Sequence, residues 1–415
     1  MAVKQVASAC PVQQGQNGGR NREDEDENHP CSVHTQGGPF WAVNQGLRGV
    51  NQPPRFQVAL STFRQLCGIA FCWKNCLKSG RRTFLQTSPS PTILDVCGLT
   101  IRYLPRGQKP IQALREVNVR LHPGEILGIT GESGCGKSTL ATSILKLLPD
   151  YADYSAGAVR FEGRDVLTMD ESELRSIRGS RIALVSQDPS TSLNPVLKVS
   201  TQISEVLRAH LKLNKQQRRM RVLELLREVG FDDPERIASA YLHELSGGQN
   251  QRVVIAQAIA CSPALLIADE PTSKLDSQSQ SEILTLLSGI GRRHGAGLIL
   301  ITHDPAILIG LANRVAIMYA GSIVEDGAMA DVVRNPLHPY TQGLLRLFMS
   351  EHDRRGGKID RFPVIVGEAP DLSLAGRGCR FEPRCLERMV PCAVQDPKES
   401  AISDSHRVSC FKHAN

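Results

Sequence analysis

Residues 131–138 read Gly131-Glu132-Ser133-Gly134-Cys135-Gly136-Lys137-Ser138, which satisfies G-x-x-x-x-G-K-[ST] at every fixed position. An apolar run, Ile126 to Thr130, leads into it, and a helix-spaced run from Ser138 to Leu148 follows. A strand that turns through glycines into a helix aims successive backbone N–H groups, and the positive end of the helix, at one point. That point is a phosphate site. Lys137 is placed to reach the β and γ phosphates of a nucleotide and the Ser138 hydroxyl to ligate Mg²⁺. Thr139 continues the phosphate-facing set, so residues 131–139 are the candidate ATP-binding loop.

The surrounding chain alternates strand-length and helix-length patterns from Thr92 to about Val333. Ile182 to Val185, Leu265 to Ala268, Leu298 to Thr302 and Val315 to Tyr319 are short apolar runs. Glu205 to His210, Arg218 to Val229, Gly248 to Ala260 and Gln280 to Arg293 have helical spacing. This alternation predicts an α/β domain on a mostly parallel sheet covered on both faces, spanning residues 91–345, with a helical subdomain at about 190–262. Residues 1–90 are rich in Gly, Gln, Asn, Ser and Pro without a sustained period, and read as a disordered extension. Within it, Phe56, Leu60, Phe63, Cys67 and Phe71 recur at three or four residues ahead of Lys74, Lys78, Arg81 and Arg82, the pattern of an amphipathic basic helix. A wrongly assigned start codon is the alternative, although the next Met, Met169, lies beyond the phosphate loop. Residues 346–415 carry four Cys and are too short for a core of their own, so they require a staple or a host surface.

Composition narrows the function classes. The 415 residues hold 49 Lys and Arg against 42 Asp and Glu, a net charge of +7, with 41% hydrophobic content, which excludes a disordered chain and does not suit a dedicated nucleic-acid binder. The most apolar stretches are broken by Gln257, Pro263, His303 and Asp304, short of the roughly 18 uninterrupted residues of a membrane span. An acidic run, Glu23 to Glu27, stands where a secretory signal would be basic, so a cytosolic chain is expected, with its 12 Cys as reduced thiols or metal ligands.

Further motifs narrow the field of phosphate-loop proteins. Leu265 to Glu270 is an apolar strand ending in two acids, with Asp269 set to hold Mg²⁺ through water and Glu270 to orient the attacking water. Leu245-Ser246-Gly247-Gly248-Gln249 opens a helix whose N-terminus again suits an anion. The ordered set of Gly131 to Ser138, Gln187, Leu245 to Gln249, Asp269-Glu270, Asp276 and His303 resembles the nucleotide-binding subunit of ATP-binding cassette (ABC) transporters, over roughly residues 92–350. The resemblance implies that Gln187 contacts Mg²⁺ and the attacking water, that His303 hydrogen-bonds the γ-phosphate, and that adenine stacks on Tyr103. It further implies that Ser246, Gly247, Gly248 and Gln249, with Asp276 nearby, serve the ATP of an opposite subunit, so that two subunits close face to face on two ATP.

Three local matches point to one subfamily. Gln187-Asp188-Pro189 with Ser192-Leu193-Asn194-Pro195, then Asn335 to Thr341, then Gly378 to Cys385 resemble segments of the dipeptide, oligopeptide and nickel importer group. Lys274 and Asn250 depart from the family's usual residues. Cys379, Cys385, Cys392 and Cys410 are spaced C-x5-C-x6-C-x17-C. Four thiolates could hold an iron–sulfur cluster or Zn²⁺, or remain free; the absence of C-x2-C knuckles and the subfamily resemblance favour [4Fe-4S]. The expected protein is an ATP hydrolase at the cytoplasmic face of the inner membrane. Its implied partners are a second ATPase subunit, identical or different, two transmembrane permease subunits and, indirectly, a solute-binding protein, without nucleic acid. Nickel or another small solute remains the alternative to peptides. A soluble ABC ATPase or a redox-sensing regulator are rivals that Lys137, Glu270 and the single cassette disfavour.

Overall fold

The computed structural model describes residues 92–352, 365–373 and 376–414. The extension and the basic-helix pattern at Phe56 to Phe71 lie outside the described residues. In chain order the elements are β1 (Leu94–Tyr103), β2 (Ile111–Leu121), β3 (Ile126–Thr130), α1 (Lys137–Ile144), β4 (Ala152–Phe161), β5 (Arg164–Asp165), α2 (Glu171–Ile177) and β6 (Ile182–Val185). Then come α3 (Pro189–Ser192), α4 (Val199–His210), α5 (Lys215–Glu228), α6 (Pro234–Ser239), α7 (Gly247–Ala258), β7 (Leu265–Asp269), α8 (Ser277–His294), β8 (Gly297–Thr302), β9 (Arg314–Tyr319) and β10 (Ser322–Ala328). Finally come α9 (Met329–Arg334), α10 (Pro339–His352), β11 (Ser400–Ser403) and β12 (His406–Val408).

Two sheets form. The larger runs β11-β12-β10-β9-β3-β8-β7-β6, parallel from β9 through β6 and antiparallel across β9, β10, β12 and β11. The smaller, β2-β1-β4-β5, is antiparallel throughout. The expectation of one mostly parallel sheet is thus corrected to a mixed sheet plus a separate antiparallel one. The reason is physical: β1, β2 and β4 carry one buried face and register shifts at Gly98 and Thr100, so they lack the continuous apolar runs that mark doubly covered strands.

Strand alternation sorts the core into two layers. Leu127, Ile129, Ile267, Ile299 and Ile301 face α1 residues Leu140 and Ile144 and the small sheet's Leu94, Leu99 and Val119. The intervening Ile126, Leu266, Ala268, Leu298 and Leu300 face the other way, with residues of α4, α5, α7 and α8 such as Ile203, Leu226, Val253 and Leu287. Each fully buried Leu or Ile contributes roughly 1.5–3 kcal/mol against exposure, so slipping one strand by a residue would be prohibitive. The helices are punctuated locally: Asn214 and Gln217 cap α5 reciprocally at 2.9 Å each, and Asp233 caps α6.

The tail finds its host on this sheet. β12 pairs with β10, extending the ATPase sheet by a hairpin, and the fully buried Glu325 of β10 anchors the junction. Its carboxylate accepts from the backbone N–H groups of Leu337 and His338 at 2.9 and 2.8 Å and lies 2.8 Å from His406 Nε2. Buried carboxylates are tolerated when so surrounded by donors.

Candidate functional site

The parallel strands β6, β7, β8 and β3 are neighbours, and each expected chemical group sits at a carboxyl end: Gln187 after β6, Asp269-Glu270 at β7, His303 after β8 and the phosphate loop after β3. Ligands of open α/β sheets bind at this edge. Gln187 Nε2 donates to Glu270 Oε2 at 3.3 Å, and His303 Nδ1 lies 3.3 Å from the same oxygen. Three side chains predicted separately from sequence therefore meet on one carboxylate oxygen. Glu270 has a φ of 45°, left-handed for a non-glycine residue, with its N–H tied to the Ile301 carbonyl at 3.0 Å. Strain of that kind costs on the order of 1–3 kcal/mol and is characteristic of functional positions.

The phosphate loop is tightly built. Lys137 is buried, and its Nζ donates to the carbonyls of Gly131 and Glu132 at 2.9 Å each, so it closes the loop upon itself. Gly131 has a φ of 157°, and a Cβ there would stand 2.0 Å from the Met318 carbonyl oxygen, a backbone atom that cannot swing away. Cys135 is buried, and burial pushes its thiol pKa upward, so it packs as an apolar group. Ser133, Gly134 and Ser138 are exposed, Gly136 caps α1, and the half-buried Thr139 lies 3.2 Å from the Tyr103 hydroxyl. Tyr103 ends β1 beside Tyr151, ring centroids 5.8 Å apart, rather than in the core.

Asp269 carries the fit for Mg²⁺. Its Oδ1 is buried without a hydrogen-bond partner, and burial raises its pKa, opposed by the Ser138 side chain, reinforced by Glu270 and opposed again by Lys137. An orphaned buried carboxylate oxygen beside a hydroxyl is what a divalent cation with oxygen preference would satisfy.

The other predicted groups lie apart. Ser246 and Gln249 form a reciprocal cap on α7, Ser246 and Gly247 are exposed, and Gly248 and Gln249 are half-buried. Among the described residues no hydrogen bond or ion pair joins them to the phosphate loop. Asp276 caps α8 by accepting from the N–H and hydroxyl of Ser279 and from the N–H of Gln278, and chiefly the Ser279 bonds hold its carboxyl below the usual range. Lys274 pairs with Asp188, beside Gln187, an ion pair that sequence reasoning missed; it and two bonds from Ser190 push the Asp188 carboxyl down to about 2. Asn250 donates to the Leu242 carbonyl at 3.2 Å.

Cys379, Cys385, Cys392 and Cys410 all line one cavity, with a gap of about 10 Å³ left among the side chains. Burial pushes the Cys379 thiol up to about 11 and raises Cys385 and Cys410 as well. Among the described residues, however, no group of three or more His, Cys, Asp or Glu is arranged to hold a metal ion. The expected ligands are gathered but not set for coordination. Among the same residues, no helix is long and apolar enough to cross a membrane.

A phosphate loop and a Gln–Glu–His convergence at adjacent strand ends of a mixed sheet, flanked by an antiparallel sheet and a helical layer, define a phosphate-loop ATPase of the ATP-binding cassette class. A sequence profile described as ABC transporter matches residues 114–273, and one for the oligopeptide/dipeptide transporter C-terminal region matches 324–392. The probable peptide ABC transporter ATP-binding protein y4tR of Sinorhizobium fredii is 42% identical over 331 residues, 79% of this chain and 97% of that protein. The dipeptide transport ATP-binding protein DppD of Bacillus subtilis is 42% identical over 320 residues, covering 77% and 94%. The chain belongs to this family, the ATP-binding subunits of oligopeptide and dipeptide ABC transporters. The dimeric post-hydrolysis structure of the ATP-binding cassette MJ0796 bound to ADP and Pi aligns with a TM-score of 0.51 at 30% identity, over 57% of this chain and 98% of that one. The protein is an ATP hydrolase of the ABC type.

Proposed function

We propose that this chain energises the import of di- or oligopeptides from the cytoplasmic face of the inner membrane, bound there to two permease subunits and supplied indirectly by a solute-binding protein. The convergence of Gln187 and His303 on Glu270 Oε2 carries the catalytic part of this reading. Glu270 accepts a hydrogen bond from the attacking water and orients it, and Gln187 and His303 hold that carboxylate until the γ-phosphate takes over the imidazole. Lys137 exchanges its loop carbonyls for β and γ phosphate oxygens, and the amides of residues 131–139 cradle the anion, while Tyr103 offers its ring to adenine. Ser138, Gln187 and Asp269 would hold Mg²⁺, which neutralises charge between the phosphates. Ser246 and Gly247, exposed at a capped helix end, with the half-buried Gly248 and Gln249 beside them and no hydrogen bond to their own phosphate loop among the described residues, suit the ATP of a second ATPase subunit, with Asp276 at the same interface. The experiment is reconstitution with the permease pair in vesicles. ATP-dependent uptake of a labelled dipeptide is expected, whereas uptake of nickel alone would reassign the solute.

The tail reading is finer. What supports [4Fe-4S] over Zn²⁺ is the C-x5-C-x6-C-x17-C spacing, which lacks C-x2-C knuckles, together with the lining of one cavity by all four thiols. Because the buried thiols must lose protons to ligate, loading should increase with pH. Protein purified without oxygen should be brown with about four iron per chain; a colourless, metal-free protein with four reactive thiols would reject the cluster.

A further inference from the structure

The chain places a carboxylate, Glu132, inside a loop built to receive polyphosphate. A negative charge there opposes anion binding unless it is neutralised. Glu132 is held on three sides. Its N–H donates to the Tyr340 hydroxyl at 2.9 Å, its carbonyl accepts from Lys137 at 2.9 Å, and its carboxylate accepts from Arg384 Nη1 at 2.8 Å. Tyr340 and Arg384 belong to the two downstream motifs, Asn335 to Thr341 and Gly378 to Cys385, to which the ATPase chemistry assigns no role. Both thus converge on one residue of the phosphate loop.

Arg384 is fixed for this contact. Its side chain is 8% exposed. Its remaining donors reach the Tyr319 hydroxyl at 3.2 Å and the carbonyls of Val366 and Ile365 at 3.1 and 3.3 Å, and the guanidinium lies 5.8 Å from the Tyr319 ring centroid. Tyr319, Tyr340 and Phe381 pack together beside it in tilted and edge-to-face contacts, with centroids 4.6 to 5.5 Å apart. A planar fork with each arm committed holds direction in a way that a lysine ammonium does not.

We infer that Arg384 is a positioning residue of the nucleotide site, neutralising Glu132 and anchoring the phosphate loop so that the thiol-bearing tail forms its back wall. This rests on the reading of residues 131–139 as the nucleotide cradle. Removing Arg384 frees one negative charge beside the bound phosphates, which should weaken nucleotide binding on the order of ten-fold in a partly solvated site.

The test uses the full chain and calorimetric titration with Mg²⁺–ADP. Arg384→Ala should bind about ten-fold more weakly, and adding Glu132→Gln should restore affinity to within about two-fold of Glu132→Gln alone, because the two residues act as a pair. Arg384→Lys, which keeps the charge, should lose less than Arg384→Ala. Unchanged affinity in Arg384→Ala overturns the inference. So does a loss that Glu132→Gln leaves uncorrected, or an equal loss in Arg384→Lys, since either places the effect in tail packing. Lys137→Ala separates the two levels: parent-like affinity in that variant would reject the nucleotide cradle itself, whereas lost affinity there with none lost in Arg384→Ala rejects only the role of Arg384.

Discussion

Acid should loosen the junction between the ATPase sheet and its tail through one buried imidazole. His338 is 1% exposed, and its Nδ1 accepts the Tyr340 N–H at 3.0 Å, which requires the neutral ring. Burial, aided by the nearby His413, lowers its pKa from 6.5 to about 3. A histidine whose folded pKa is depressed contributes stability that is present above its unfolded value and is lost as pH falls, because the unfolded chain takes up the proton first. The window runs from about pH 6.5 down to about pH 3. At about 1.4 kcal/mol per pH unit, this group removes about 2 kcal/mol between pH 7 and pH 5. The assay is urea unfolding at pH 5, 6 and 7 of the parent and of His338→Asn, whose amide oxygen can take the Tyr340 N–H without titrating. The variant should lose about 2 kcal/mol less than the parent across that range. Parallel pH profiles would show that His338 is not the buried neutral group described, and would also weaken the account of how Tyr340 is aimed at Glu132.

Two other perturbations bear on separate parts of the structure. Glu325→Ala leaves two backbone N–H groups and His406 without their acceptor and should cost about 3–5 kcal/mol in urea unfolding, detaching the tail hairpin first; an effect within about 0.5 kcal/mol, the scale of an ordinary surface substitution, would contradict the anchor. Gly131→Ala drives a Cβ into the Met318 carbonyl and should abolish nucleotide binding measured by calorimetry, and retained binding would mean that the loop can relax where the structure allows no room.

What could be read in advance followed from range of interaction. The parallel strands β3, β6, β7, β8 and β9 were legible because burial on both faces writes a continuous apolar run, and Ile126–Thr130 and Ile182–Val185 match to the residue. The groups on Glu270 were legible because each ends such a strand. The antiparallel strands β1, β2 and β4 were not, since their pattern is half polar and their pairing is interrupted by bulges. Nor was the docking of β12 on β10, a pairing of residues some 80 positions apart that no local pattern encodes. Arg384 with Glu132 and Lys274 with Asp188 were missed for the same reason. The tail motif Gly378 to Cys385 was a signal, but it drew attention to the thiols rather than to Arg384, one of the two arginines between them.

The central claim is that Glu270, at the end of β7 with Gln187 and His303 on its carboxylate, drives ATP hydrolysis by this chain. Phosphate release at saturating Mg²⁺–ATP, measured on the parent and on Glu270→Gln with ATP binding followed in parallel, tests it most directly. The variant should bind ATP as the parent does and turn over about 10²–10³-fold more slowly, the range for one positioned acid–base group. Equal rates of phosphate release from the two proteins would contradict the account.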